Sequence, residues 1–179
     1  MKRLLHTWPR DAWLTLAARA AMMAVNALVL VALMLRIHDA GLGPLANTGL
    51  MAALAAPPVL TVRLAGWVAD RYDSRRILLA ALGAQAVAAL ALAASTDLLW
   101  TYAWALVFEA GFSFSSPVWL ALVPRIVGDE RVQGLAGAQM LASSLTAPLG
   151  AAAGGFLVEA AGTRTPPLAA AAGIGLALA

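Results

Sequence analysis

The sequence predicts an all-α integral membrane protein, and three observations carry that prediction. Of 179 residues, 62% are hydrophobic and 12% charged, against about 45–50% and about 25% for a soluble domain. The apolar residues fall in long runs, several of them beyond the roughly 18 residues at which a segment reads as membrane-spanning. The charges collect between the runs, most densely at Asp70-Arg71-Tyr72-Asp73-Ser74-Arg75-Arg76, where five of seven side chains are ionic. Such an island cannot lie in hydrocarbon. It marks a short connection on one face of a bilayer, with helices leaving at both ends.

Taken in order, residues 1–12 form a polar leader with Lys2, Arg3, Arg10 and Asp11. Trp8 and Trp13 bracket the level at which indole rings settle in a membrane interface. A first span is expected over about 13–37, with Arg19 and Asn26 inside an otherwise apolar helix. The apolar run from Leu14 is too long for a signal-peptide core, so this span is read as retained. His38-Asp39-Ala40-Gly41 makes a short loop. A second span over about 43–68 has Pro57-Pro58 in its middle. Two backbone donors are lost there, and a kink is expected. Arg63 lies near the end of that span, where its side chain can snorkel outward.

A third span over about 77–94 is rich in Ala and Leu, with Gly83 and Gln85 as interruptions. Gln85 is expected to hydrogen-bond to a neighbouring helix. After Ser95-Thr96-Asp97 a fourth span covers about 98–123. Trp100, Tyr102 and Trp104 lie towards one end and Trp119 towards the other, an aromatic belt at both interfaces. Glu109 falls near the centre. Pro124 to Gln133 is read as a second charged loop, with Arg125, Asp129, Glu130 and Arg131. A fifth span over about 135–160 is rich in small residues. Beyond Gly162 to Pro167, with Arg164, a sixth begins at 168 and is cut short at 179, about 12 residues against the roughly 20 needed to cross. Residues 13–179 are thus read as one transmembrane bundle.

Charge sets the orientation. Lys2, Arg3, Arg10, Arg71, Arg75, Arg76, Arg125 and Arg131 fall on the side of the N-terminus, and only Arg36 and Arg164 on the other. The positive-inside rule places the N-terminus and the charged island of this multi-pass protein in the cytoplasm.

Several functions are excluded or unsupported. No cysteine is present, so there are no disulfides or thiolate metal sites. His6 and His38 lie too far apart to suggest a metal site. The arginines form no face or stripe of the kind that binds nucleic acid. The phosphate-cradling, zinc-protease and nucleophile-elbow motifs are absent, so neither an enzyme nor a cofactor is expected.

A few polar residues remain as candidates. An ionised Glu109 near the bilayer centre is expensive unless paired or hydrated, so it should face the bundle interior or a wet cavity. There it suits a group that binds protons or a cationic substrate. A structural ion pair, for instance with Arg19, is an equal reading. Arg19 and Asn26 are seven apart, two turns on one helix face, and either line the same cavity or serve locally, Arg19 snorkelling and Asn26 bonding a neighbour. Trp104 is the one tryptophan placed to reach a ligand. In the island, a carboxylate among arginines can be a topology anchor or a latch whose ion pairs break when helices move. Gly150 and Gly154 share a helix face and permit close backbone approach.

From Gly66 through Arg76 the chain also resembles the loop between the second and third spans of the major facilitator superfamily, Gly-x-Leu-Ala-Asp-Arg-x-Gly-Arg-Arg. Gly66, Ala69, Asp70, Arg71 and Arg75 fit. Val68 stands for Leu, Asp73 for Gly and Ser74 for Arg. The Asp-Arg-Tyr-Asp-Ser-Arg-Arg form is similar to that of bacterial drug and siderophore exporters. Ala147-Pro148-Leu149-Gly150 followed by Gly154-Gly155 resembles the Gly-Pro-x-x-Gly-Gly element of the family's antiporters, with Ala147 at the first Gly. Pro117-Val118-Trp119 through Val123-Pro124 adds to the likeness.

The resemblance implies an N-terminal six-helix bundle of a major facilitator fold, its sixth helix truncated, built from inverted three-helix repeats. It implies a secondary active transporter, with proton-coupled efflux of a small amphipathic compound. Asp70 would tether two halves of the transporter in the outward-facing state, with Gly66, Arg71, Asp73, Arg75 and Arg76 in the same latch. The partners would be the lipid bilayer, a small-molecule substrate, protons, and a missing C-terminal half or a second copy. With only one half present, transport by this chain alone is in question. The competing expectation is a structural or accessory membrane protein without a transport cycle.

Overall fold

The computed structural model describes residues 9–128 and 131–178. Lys2, Arg3, His6 and Trp8 of the leader, and Asp129 and Glu130, lie outside the described residues. Among the described residues six helices follow one another: α1 (Arg10–Asp39), α2 (Gly43–Arg71), α3 (Ser74–Ala94), α4 (Leu98–Val127), α5 (Val132–Ala161) and α6 (Thr165–Leu178). Arg10–Asp39, Gly43–Val68, Ser74–Ala94 and Val132–Ala161 are long and apolar enough to cross a membrane by length and composition.

Local chemistry explains the starts and stops. Asp73 caps α3, its Oδ1 accepting from the backbone N–H of Arg75 at 2.7 Å and of Arg76 at 3.4 Å. Asp97 caps α4 in the same way, accepting from Leu99 and Trp100 at 2.7 and 3.3 Å. Each satisfies amide donors that have no partner within the first turn. Gly128 and Gly162 close α4 and α5 with φ of 74° and 85°, a conformation that side chains resist. Pro166 and Pro167 sit inside the first turn of α6, where a missing N–H costs nothing.

The helices run past several of the expected span ends. α2 continues to Arg71, so Asp70 and Arg71 are helical and only Tyr72 and Asp73 link α2 to α3. α4 continues to Val127 and α5 begins at Val132, which shortens the second charged loop. A helix satisfies its own backbone in water as in lipid, so it need not stop where the apolar run does. α2 also runs unbroken through Pro57 and Pro58, and the Thr61 hydroxyl donates to the Pro57 carbonyl at 2.6 Å.

The packing repeats itself. α1 lies along α5 and α4 along α2. α3 packs on α4 and α6 on α1. α3 and α6 meet each other. Exchanging α1, α2, α3 for α4, α5, α6 maps each of these contacts onto another.

The core gathers Met22, Val29, Leu33 and Ile37 of α1 with Leu50, Leu82, Leu92, Phe108 and Ile174 from other helices. α5 joins the bundle differently. A Cβ at Gly150 would collide with the Ala24 backbone, and one at Gly154 would lie 2.7 Å from the Leu28 carbonyl oxygen. Glycines one turn apart on α5 thus meet residues one turn apart on α1, and the two backbones touch. Gly155 faces open space, and α5 continues through Pro148. Large apolar side chains point outward instead, among them Leu60 at 75% exposure on α2, and Met140 at 75% and Phe156 at 70% on α5. A surface this apolar needs lipid or another protein against it.

Two contacts tie helix ends across the bundle. Arg36 near the end of α1 donates to the Leu92 carbonyl at 2.8 Å and to Ser95 Oγ at 3.3 Å. It thereby satisfies a carbonyl at the C-terminus of α3. Tyr102 on α4 donates its hydroxyl to the Ala46 carbonyl at 2.7 Å. The interhelical hydrogen bond expected of Gln85 is not formed. The residue is buried, and neither amide atom has a partner among the described residues. Its methylene packs where α3 crosses Gly111 of α4, and a glycine has no side chain to offer the amide.

Candidate functional site

α1 and α4 bring four polar side chains together in two pairs. Asn26 Nδ2 donates to Glu109 Oε2 at 3.1 Å. Arg19 Nη2 donates to Ser116 Oγ at 2.9 Å. From Asn26 to Arg19 the number falls by seven while from Glu109 to Ser116 it rises by seven, so the helices run antiparallel and the pairs are rungs two turns apart. Two turns are about 10 Å along the axis. Arg19 and Glu109 are therefore bound to separate neutral partners and not to each other. The ion pair left open by the sequence gives way to this register, which puts an amide opposite the carboxylate and a hydroxyl opposite the guanidinium.

The guanidinium also stacks over the Phe112 ring, 5.3 Å from its centroid. Its Nη1 is buried with no hydrogen-bond partner among the described residues. The ring face supplies attraction for the cation in place of water. Arg19 is thus drawn into the bundle and does not reach away from it.

Glu109 opens on a cavity of about 320 Å³ between α2 and α4. Pro58 and Ala65 line it from α2, and Phe112, Ser113, Ser116 and Pro117 from α4. The walls are mostly apolar with a few hydroxyls and one carboxylate, the composition of a small-molecule site. The Ser113 hydroxyl is buried and has no partner among the described residues. Sequence reasoning missed Ser116 and Ser113. The signal for Ser116 was present, since its spacing from Glu109 equals that from Arg19 to Asn26. Trp104 stands apart. It packs partly on the core and lines a separate cleft with Trp100 beside the α3–α4 connection.

The charged connection has another character. Asp70, Arg71, Asp73, Arg75 and Arg76 are all exposed. Arg71 stacks on Trp67, 4.3 Å from the ring centroid. Asp73 is engaged as the α3 cap, a role its sequence position allows but which the motif does not announce. The carboxylate of Asp70 makes no hydrogen bond or ion pair among the described residues. Gly66 one turn earlier has nothing within 4 Å of the position a side chain would take. Among the described residues no group of acidic and histidine side chains is arranged to hold a metal.

Residues 12–179 match the family model of the Major Facilitator Superfamily. The chain belongs to this family. Its members are membrane transporters, which makes this a multi-pass membrane protein of a transporter family. Two relatives from Mycobacterium tuberculosis, strains CDC 1551 / Oshkosh and H37Rv, each carry the name multidrug resistance protein B homolog. Each is 31% identical over 120 residues, covering 65% of this chain and 21% of the relative. The match therefore spans about a fifth of the length of these relatives.

Proposed function

We propose that this chain forms one half of a secondary active transporter that exports a small amphipathic compound in exchange for protons, and that Glu109 is the group that couples the two. The observation behind this is the placement of Glu109, held by the Asn26 amide at the edge of the α2–α4 cavity. A carboxylate there can alternate between an ionised form that accepts from the amide and a neutral form that donates its own proton. Those two forms are what a proton-driven cycle needs from one residue. Arg19 and Asn26 shape the site by holding its polar groups in place. The name of the mycobacterial relatives favours an organic compound as cargo.

In the same reading Asp70 is a latch. It ends α2 with its carboxylate free, beside Arg71, Arg75 and Arg76, and it would pair with a second half in one conformation and release it in the other. The outward apolar faces of α2 and α5 would receive that second half or a second copy of this chain. The close α1–α5 seam at Pro148, Gly150 and Gly154, with Gly155 on the free side, would keep this half rigid as it moves. The protein would lie in the inner cell membrane with its N-terminus cytoplasmic, as the arginine bias favours.

The test is export by the complete transporter carrying Glu109→Gln. Proton-driven export should be lost while the protein still reaches the membrane and folds. Unchanged export would remove Glu109 from the mechanism. Absence of any export by the unaltered protein would favour an accessory role without a transport cycle.

A further inference from the structure

A second cavity lies on the outer surface of the bundle, away from Glu109. α2 and α3 scarcely touch each other, yet both pack on α4. The gap between them is a groove of about 500 Å³. Ala80 and Ala84 of α3 and Ala110 and Gly111 of α4 line it with small side chains, and Val107 and Phe114 contribute larger apolar ones. The polar groups at the groove are Tyr72 and Arg76, which stand at its mouth beside the α2–α3 connection. Arg76 and Ala84 are eight residues apart, so the apolar trough runs about 12 Å inward from the arginine.

The charge at the mouth is unspent. The Arg76 guanidinium is exposed and makes no hydrogen bond or ion pair among the described residues. Arg75 beside it is also exposed. Asp73, the nearest carboxylate in sequence, is turned to the α3 backbone as its cap. A soluble compound would find few polar groups inside the groove to orient it. A membrane lipid needs none there, because its polar group sits at the interface.

We propose that this groove binds an anionic phospholipid of the surrounding membrane, with one acyl chain lying along α3 and α4 and the phosphate held by Arg76. The match is one of chemistry and depth. In a bilayer this apolar trough would open sideways to lipid, and the guanidinium and tyrosine at its mouth would stand at headgroup level. Juxtamembrane arginines attract anionic headgroups, and aromatic side chains settle at that same level. The occupant would brace the α2–α3 connection, next to Asp70, against α4.

The test uses the whole chain purified in a neutral detergent, with lipid retention followed by native mass spectrometry. Phosphatidylglycerol should be retained about fivefold more strongly than phosphatidylcholine of the same acyl chains, the effect of one interfacial arginine. Arg76→Gln should erase that preference. Ala84→Phe should weaken both lipids about tenfold by filling the trough, with helicity by circular dichroism unchanged. In vesicles, phosphatidylglycerol with a photoreactive acyl chain should label the unaltered protein between residues 76 and 84 and between 107 and 114. That labelling decides the matter if Ala84→Phe does not fold. Equal retention of the two lipids, an unaltered preference in Arg76→Gln, or labelling confined to other helices would each overturn the proposal. So would efficient disulfide dimers of Ala84→Cys, which would put a second copy in the groove.

Discussion

In the middle of the bundle Arg19, Asn26, Glu109 and Ser116 are held in two hydrogen-bonded pairs. At the α2–α3 connection five charged side chains crowd into seven residues, yet among the described residues just one of them, Asp73, uses its side chain in a hydrogen bond, and Arg71 rests on a tryptophan. The solvent makes the difference. A polar group among apolar helices has no water to fall back on, so the protein must supply its partner. A charge at the membrane edge has water, so its presence predicts no contact within this bundle. The inner pairs are therefore part of what holds the structure, and the outer charges are free to engage something else.

Melting temperatures in detergent should separate the two regions. The largest loss is expected for Asn26→Leu, which strands the Glu109 carboxylate without its donor and should cost about 2–3 kcal/mol. A Glu109→Gln background should remove most of that cost, because the charge is gone. Ser116→Ala comes next. It deprives Arg19 of its hydrogen-bonding hydroxyl and should cost about 1.5 kcal/mol, the cation–ring contact limiting the damage. Asp73→Ala should cost about 1 kcal/mol through loss of the cap, while Asp73→Ser should restore most of it. Smallest of all is Asp70→Asn, which should leave the melting temperature unchanged. If Asp70 matters as a latch, its loss appears only in transport by the complete protein. A large drop in stability for Asp70→Asn would break the contrast.

Much of the architecture is legible from hydropathy, because an apolar run of sufficient length between charges has few places to go other than a membrane. The ends of α2 and α4 are not, since helical hydrogen bonding continues past the last apolar residue. Gly150 and Gly154 are readable as a close-packing face from their spacing, but their partner residues, Ala24 and Leu28, are not. The same holds at the site. That Glu109 would turn inward follows from the cost of exposing it to lipid. That it would meet Asn26, and not Arg19, depends on the register of α1 against α4, which is set by packing over both helices. Gln85 shows the limit of the polar-partner rule, for its amide lies where α4 has only a glycine. Asp73 carried a visible signal, an Asp just before a helical run, which the stronger motif around it obscured.

The central claim is that Glu109 faces a wet cavity, and cysteine chemistry can test it directly because this chain has no cysteine of its own. Glu109→Cys and Ser113→Cys, placed singly in native membranes, should react with a small water-soluble maleimide. Val87→Cys, on the outward face of α3 at 57% exposure, should remain unreactive because lipid covers it. An inert Glu109→Cys beside a reactive Ser113→Cys, or no reaction at either, would contradict the account.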